Sequence, residues 1–542
     1  MQDVSSRPPL AAKRLAGSIA RLREGAPLLV ELSAATLSAV LLILSFPDFN
    51  LWPLAWCALV PLLVVLVINK GRWRSFFLGW VFGTVFFYGS CYWLTYSMVH
   101  TGGISSWIAF PLLIPGAVLL GIFPGLFGLF LARAIRKWGT LTVLITPLGW
   151  SALEWVRLEV TGQLWNAIGY SQAFQPRLIG SARWGGVYAV GALIVLVNAA
   201  IVLVLLRRTM RALGFSASVI IFVLLLMLTP TTLAQLGSVQ DGEVVVVAIQ
   251  PNVPMDLVKS NDDMNLLTAR HFDMSEAALS QIQNDKRSKL IIWPESPMNF
   301  AYGGDQQLRT KLSGFAQQHH VSLLLNSQEI APNDGLYNSA MLINEEGKLV
   351  AQYDKIRLLP FGEYVPLPDW VPGAGLIRGI VGDFTAGTNY RLMPVGNLSA
   401  GVFICIESAY PSIARRLTNS GADVLINISN DGYLGPTAVL RQHLANGVFR
   451  AVENGRALLS VTNTGITAFI TPEGETRDAT ASFKPEVRIW SVGNAPQQRT
   501  FYTKHGDVFV ITCAVLSLLI FVLTFVNNAR HREVIKRDFS ED

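Results

Sequence analysis

Charge is what this chain has least of. Only 15% of its 542 residues are Asp, Glu, Lys or Arg, against about 25% in ordinary soluble domains, and this excludes a chain bathed in water throughout. Cysteine is scarcer still, at four, too few for a disulfide scaffold. There are seven histidines, but no Cys/His cluster with metal-ligand spacing, no phosphate-cradling glycine loop and no internal repeat. No metal or cofactor is therefore expected.

What is abundant is apolar: 51% of the residues are hydrophobic. They are unevenly spread, with long apolar runs over 28–236, a mixed composition over about 240–500, and one more run at 507–526. Crossing a hydrocarbon core of ~30 Å takes roughly 20 helical residues. Eight stretches qualify, near 28–46, 51–69, 75–97, 107–131, 139–155, 187–206, 216–236 and 507–526. Basic residues orient them, because Lys and Arg beside a span favour the cytoplasm. Arg7, Lys13, Arg14, Arg21 and Arg23 precede the first span, and Arg530, Arg532, Lys536 and Arg537 follow the last. Alternate connections carry Lys70, Arg72 and Arg74, then Arg133, Arg136 and Lys137, then Arg207, Arg208 and Arg211. The loops "PDFN" (47–50) and "HTGGISS" (100–106) carry none. The pattern predicts a cytoplasmic tail (1–27), a seven-helix bundle (28–236), an extramembrane domain on the outer face (237–506), an eighth helix (507–526) and a second cytoplasmic tail (527–542). The net charge of +6 then reflects cytoplasmic flanks and requires no nucleic acid.

Cys57, Cys91 and Cys513 fall in expected spans, which leaves Cys405 alone in a domain facing an oxidising compartment. It is either a small buried hydrophobe or a reactive thiol. Around it, strand and helix patterns alternate. "EVVVVAIQPNV" (243–253), "KLIIWPESP" (289–297), "VSLLLNSQE" (321–329), "LSAGVFICIES" (398–408) and "DVLINISND" (423–431) read as strands; "QQLRTKLSGFAQQHH" (306–320) and "SIARRLTNSG" (412–421) read as helices. That alternation predicts an α/β sheet, in which function gathers at the carboxyl ends of strands. Glu295, Cys405, Asn430 and Asp431 occupy such ends.

A thiol must lose its proton to attack a carbonyl, and the resulting oxyanion needs a cation or amide donors. Glu295 can serve as base, Lys355 as cation and the backbone N–H of Ile406 as second donor. His319, His320 and His443 offer a weaker Cys–His alternative, since none lies at a matching strand end, and they read as polar surface.

"WPES" (293–296), "YDKIRLLPFGEYVP" (353–366) and "CIES" (405–408) resemble the Glu, Lys and Cys motifs of the nitrilase superfamily in that chain order. "NISNDGYLG" (427–435) and "RAVENGR" (450–456) extend the likeness. With the membrane helices and "LWNAIGYSQ" (164–172), the whole chain resembles the apolipoprotein N-acyltransferase family of bacterial envelopes. The resemblance implies a multi-domain membrane protein of the inner membrane, with an eight-helix bundle carrying a periplasmic αββα nitrilase-like sandwich. It implies catalytic roles for Glu295, Lys355 and Cys405, with Glu363 and Glu407 positioning Lys355. It also implies a phospholipid acyl donor, commonly phosphatidylethanolamine, and diacylglyceryl-modified apolipoproteins as acceptors. Departures occur at Ile406, where the family often has Tyr, and at Gly432-Tyr433-Leu434, where it usually has Ala-Trp-Phe.

A glycine-rich stretch after the lysine motif, "LPDWVPGAGLIRGIVGDF" (367–384), presents Trp370, Leu376, Ile377, Ile380 and Val381 with little charge. It is expected to form a lid that dips into the lipid surface. Two other functions compete. A membrane-tethered amidase or nitrilase would use the same triad on a small amide. A transporter with an external binding domain would need paired ionisable groups deep in its spans, yet Glu31 and Glu154 lie near expected span ends, and Asn198 reads as a bond to a neighbouring helix.

Overall fold

A computed structural model describes residues 27–69, 71–162, 164–207, 209–228, 242–255, 259–332, 335–365 and 384–526. The expected lid, with Trp370, Leu376, Ile377, Ile380 and Val381, lies outside the described residues, as do the basic stretches 1–26 and 527–542.

Among the described residues, three helices are long and apolar enough to cross a membrane: Leu28–Ser45, Ser106–Trp138 and Ala182–Arg207. Arg72–Ser90 and Leu94–His100, bent by 50° at the break between them, make a fourth if they are taken as one span. Eight spans were expected, so four to five of the segments fall short of that test. Trp52–Ile68, Met210–Leu226 and Val508–Leu523 are apolar but shorter. The helix Thr146–Thr161 has 16 residues, a length of about 24 Å, and carries Glu154, Arg157 and Glu159.

Sequence explains the break in Trp52–Ile68. Pro61, near the start of its second half, cannot donate to the preceding turn. At the break, the N–H of Leu59 donates to Asn198 Oδ1 (2.9 Å), whose Nδ2 donates to Ala55 O (2.9 Å) and Ile194 O (2.9 Å). A single buried amide thereby satisfies backbone groups that hydrocarbon would leave unpaired, so Asn198 bonds to a neighbouring helix as expected. Glu31 is likewise engaged, in an ion pair with Arg74 (2.6 Å).

The rest of the chain forms two six-stranded sheets. The first runs in the order β12-β1-β2-β3-β4-β5, from Glu486–Val492 (β12), Val244–Gln250 (β1), Ser288–Ile292 (β2), Ser322–Ile330 (β3), Leu336–Ile343 (β4) and Leu349–Asp354 (β5). The second runs β11-β10-β9-β8-β7-β6, from Thr476–Arg477 (β11), Ala468–Ile470 (β10), Ala457–Thr462 (β9), Val424–Ser429 (β8), Leu398–Ile404 (β7) and Leu392–Val395 (β6). β1, β2 and β3 are mutually parallel, as are β7, β8 and β9.

β1 is buried on both faces, and the period of two separates its neighbours. Val244, Val246 and Ala248 join the core between the sheets, with Val402, Ile404 and Ile426. Val247 and Ile249 join a second core with Leu279, Leu312 and Phe315, under the helices Asn261–Gln281 and Gln306–His319. The helices Pro411–Asn419 and Val439–Asn454 cover the other sheet. The layering is αββα, as expected.

Every residue of Val439–Asn454 except Arg441 is buried, because the helix is wedged between the second sheet and the membrane helices. Its polar residues therefore need partners. Gln442 Oε1 accepts from the indoles of Trp93 (3.0 Å) and Trp165 (2.8 Å), and its Nε2 donates to Pro47 O and Ser90 O (3.2 Å each). Three loops at one end of the bundle are thus tied to one side chain. About three turns further along, Glu453 Oε1 accepts the N–H of Val187 (2.9 Å). Gly186, at φ +65°, interrupts Ala182–Arg207 just before that residue, so Glu453 caps the point where the helix restarts.

Candidate active site

Glu295 follows β2 after Trp293 and Pro294, Lys355 follows β5 directly, and Cys405 follows β7. The fold brings the first two together: Lys355 Nζ lies 3.6 Å from Glu295 Oε1 and donates to Glu363 Oε1 at 2.9 Å. Lys355 is 1% exposed. Burial works against its charge, but Glu295 and Glu363, with Cys405 behind them, outweigh that and hold the ammonium well above its ordinary pKa.

Cys405 has φ +53°, a left-handed conformation that costs a non-glycine residue about 1 kcal/mol or more. It turns the chain sharply from β7 into the 3-10 turn Cys405–Ala409, presenting the thiol at the strand end. Burial pushes the thiol well above the ordinary cysteine range and the Glu295 charge adds to this, while Lys355 pulls the other way. Glu295 is anchored across the sandwich by the N–H of Asn430, which donates to its Oε2 (3.1 Å) from the end of β8.

Glu407 does not bond to Lys355. Its carboxylate accepts the N–H groups of Ile356 (2.7 Å), Arg357 (3.0 Å) and Ile404 (2.8 Å) and the hydroxyl of Tyr353 (2.9 Å). It therefore ties the chain on both sides of Lys355 to the strand that ends at Cys405. Burial pushes its pKa up to about 7, opposed by the N–H groups of Ile404 and Arg357.

Two residues of the site carry no motif in the sequence. Asn338, on β4, donates through Nδ2 to Glu295 Oε1 (2.8 Å) and to Glu363 Oε1 (2.7 Å), and Asn326 Nδ2 donates to its Oδ1 (2.7 Å). One amide thus bridges the two carboxylates that share one ammonium. The signal was a pair of asparagines, each followed by a serine, in two successive strands. His443 was expected at the surface. It is 6% exposed, its Nδ1 lies 2.7 Å from Asp431 Oδ1 and its Nε2 lies 2.9 Å from the carbonyl oxygen of Cys405. Helical periodicity places it beneath the nucleophile, and no strand-end rule would have found it. His319 lies 3.7 Å from the half-exposed Glu276 and against the Phe315 ring, and His320 closes its helix at φ +50°.

Residues 38–200 match the family model for the apolipoprotein N-acyltransferase N-terminal domain, and residues 248–494 match that for carbon-nitrogen hydrolases. An apolipoprotein N-acyltransferase of Geobacter metallireducens is 31% identical over 520 residues, covering 92% of this chain and 96% of the relative. This chain belongs to the apolipoprotein N-acyltransferase family. Another apolipoprotein N-acyltransferase, from Rhizobium etli, is 30% identical over 424 residues, 74% of this chain and 77% of that one. An amidase from Nesterenkonia sp. aligns with 51% of the chain at 14% identity, with a TM-score of 0.35.

The bridging amide makes a testable point about this N-acyltransferase. Asn338→Leu leaves Glu295 and Glu363 without their shared donor and is expected to slow acylation by ~10–10²-fold. Asn338→Asp, which adds a third carboxylate beside two, is expected to be at least as slow. A stopped-flow or quenched acylation assay giving wild-type rates for both would refute the bridging role.

Three buried groups also bind protons more tightly than their ordinary values allow. Burial pushes Glu407 and Glu453 up to about 7 each. For His443, burial acts downward, but the Asp431 charge raises the pKa overall. Each raised pKa favours folding at low pH; for Glu407 and Glu453 that contribution is lost as pH rises through about 7, and for His443 as pH rises through its own raised pKa. In detergent, the unfolding midpoint is expected to be higher near pH 5.5 than near pH 8, with a smaller difference in Glu407→Gln. A midpoint that rises over the same interval would contradict this assignment.

Proposed function

We propose that this N-acyltransferase moves an acyl chain from a phospholipid, with phosphatidylethanolamine the expected donor, to the α-amino group of a lipoprotein's diacylglyceryl-cysteine through a thioester on Cys405. The observation that carries this reading is the buried Lys355 ammonium held between Glu295 (3.6 Å) and Glu363 (2.9 Å), in the field of the Cys405 thiol. Glu295 removes the thiol proton as sulfur attacks the ester carbonyl. Lys355 and the N–H of Ile406 receive the oxyanion. The tetrahedral adduct collapses, the ester C–O bond breaks, and Glu295 returns the proton to the departing lysophospholipid. The incoming amine then attacks the thioester. Glu295 takes its proton and passes it to the sulfur as the C–S bond breaks, leaving an amide and a free thiol.

Orientation is part of the same proposal. Arg133 Nε donates to Thr524 Oγ1 (3.1 Å) and Arg207 Nε to Thr140 Oγ1 (2.7 Å), gathering basic residues from separate connections. The catalytic domain instead meets the loops at Pro47, Ser90 and Trp165 through Gln442. The gathering of the basic connections at Arg133 and Arg207, away from the loops that meet the catalytic domain, supports a cytoplasmic basic face, a periplasmic sandwich and eight crossings, the shorter helices included.

The test is intact mass. Purified protein incubated with phosphatidylethanolamine should gain one acyl chain on the peptide containing Cys405 and release one lysophospholipid. A diacylglyceryl-cysteine peptide should then remove that mass and gain it as an amide. Release of free fatty acid with no amide would sink the transfer reading in favour of hydrolysis.

A further inference from the structure

The ring of His443 lies between two acceptors: Nδ1 is 2.7 Å from a carboxylate oxygen of Asp431, and Nε2 is 2.9 Å from the backbone oxygen of Cys405. A neutral ring with its proton on Nδ1 would set a lone pair against the Cys405 carbonyl. Among the described residues, the donor facing Nε2 is Asn427 Nδ2, at a longer 3.4 Å. The shorter contact decides the matter: Nε2 carries a proton and donates it to the carbonyl. Asp431 is fixed in turn by Ser429 Oγ (3.2 Å), and the Trp165 ring leans over the imidazole at 6.0 Å between centroids.

A peptide group is planar, and in the trans form its C=O and N–H point in opposite directions. The carbonyl held by His443 belongs to the peptide whose N–H is that of Ile406. Fixing the oxygen on one side therefore aims the N–H on the other. The hydrogen bond to the carbonyl also polarises the peptide and strengthens that N–H as a donor. The neighbouring Gln442 ties the same turn of helix to the membrane loops, so the imidazole has a firm base from which to hold the nucleophile's backbone.

We propose that His443 is a positioning residue of the oxyanion hole, turning the N–H of Ile406 towards the acyl oxygen by gripping the Cys405 carbonyl through Nε2. This rests on the thioester reading above. It adds a role that neither the Glu-Lys-Cys motifs nor the family match assigns, and it differs from a Cys–His dyad because the ring touches the carbonyl of Cys405 and does no proton transfer with its sulfur.

Two variants separate the roles of the two ring nitrogens. In Gln, the side-chain amide reaches the place of Nε2; in Asn, only that of Nδ1. Two reactions of Cys405 separate positioning of the oxyanion from general damage: acylation by phosphatidylethanolamine passes through an oxyanion, whereas alkylation by iodoacetamide does not. Both are read on the full chain in detergent from the mass of the Cys405 peptide. His443→Asn is expected to lose ~10²-fold in acylation rate with alkylation little changed, and His443→Gln to recover most of the loss. Equal acylation by the two variants, or acylation and alkylation falling together in His443→Asn, would overturn the proposal. If wild-type protein alkylates but never acylates, the thioester reading itself fails, an outcome distinct from either.

Discussion

Cys405→Ala should give a protein that never carries an acyl chain. Phosphatidylethanolamine added to this variant is expected to yield no mass increase and no lysophospholipid, with transfer reduced by ~10⁴-fold or more, the range seen when a covalent nucleophile is removed. The fold should survive. Cys405 is only partly buried, and alanine removes one sulfur while relieving no contact that holds the sheet. Alanine remains possible at φ +53° at the same modest cost the cysteine already bears. Retained transfer in this variant would rule out covalent catalysis, and an acyl mass on any other residue would relocate it. Cys91 and Cys513, the other cysteines with restricted exposure, lie outside both sheets and serve as internal controls.

Lys355→Met is expected to damage both chemistry and stability. The ammonium is 1% exposed and is shared by Glu295 and Glu363. Taking it away leaves two carboxylates bridged only by Asn338. Breaking a buried pair by deleting one partner costs about 3–5 kcal/mol, and deleting an oxyanion donor costs ~10²–10³ in rate. We therefore expect a clearly lowered unfolding midpoint together with at least a thousandfold slower acylation. The double variant Lys355→Met/Glu363→Gln should regain part of the stability and none of the rate, since it removes a stranded charge without restoring a cation. Recovery of rate in the double variant would show that Lys355 acts only as a structural counter-ion.

How far the site was legible depends on how each residue is held. Glu295 and Cys405 stand at strand ends, where a run of apolar residues stops, and that transition is visible in one dimension; Lys355 also follows a strand, but β5 carries Gln352 and Asp354, and only its motif marked it. Glu363 and Glu407 were both expected to position Lys355, and only the first makes that contact. Glu363 touches Lys355 directly, whereas Glu407 grips the N–H groups of Ile356, Arg357 and Ile404. Asn338 lies 43 residues from Glu295 in the chain, and His443 comes from a helix packed behind the sheet. Each is brought in by strand pairing or helix docking, and local spacing records neither.

The spans show the same division. Apolar composition marked where helices form, and a helix occurs in each expected stretch. Length was harder, since Pro61, the bend after Ser90 and the charged Thr146–Thr161 segment shorten or break the rods. Those interruptions are tolerable only because distant groups repair them, as Asn198 does for Leu59.

The order of residues along the chain was enough to separate the part that meets lipid from the part that meets water, and to put a carboxylate and a thiol at strand ends and an ammonium in a motif between them, because burial and strand termination are governed by neighbours in sequence. Which groups hold those three in place was decided only by the tertiary structure. Asn338 bridging two carboxylates, His443 beneath the Cys405 carbonyl and Gln442 fastening the sandwich to the membrane loops are contacts between elements far apart in the chain, and the need of buried polar groups for partners is met wherever folding brings a partner within reach.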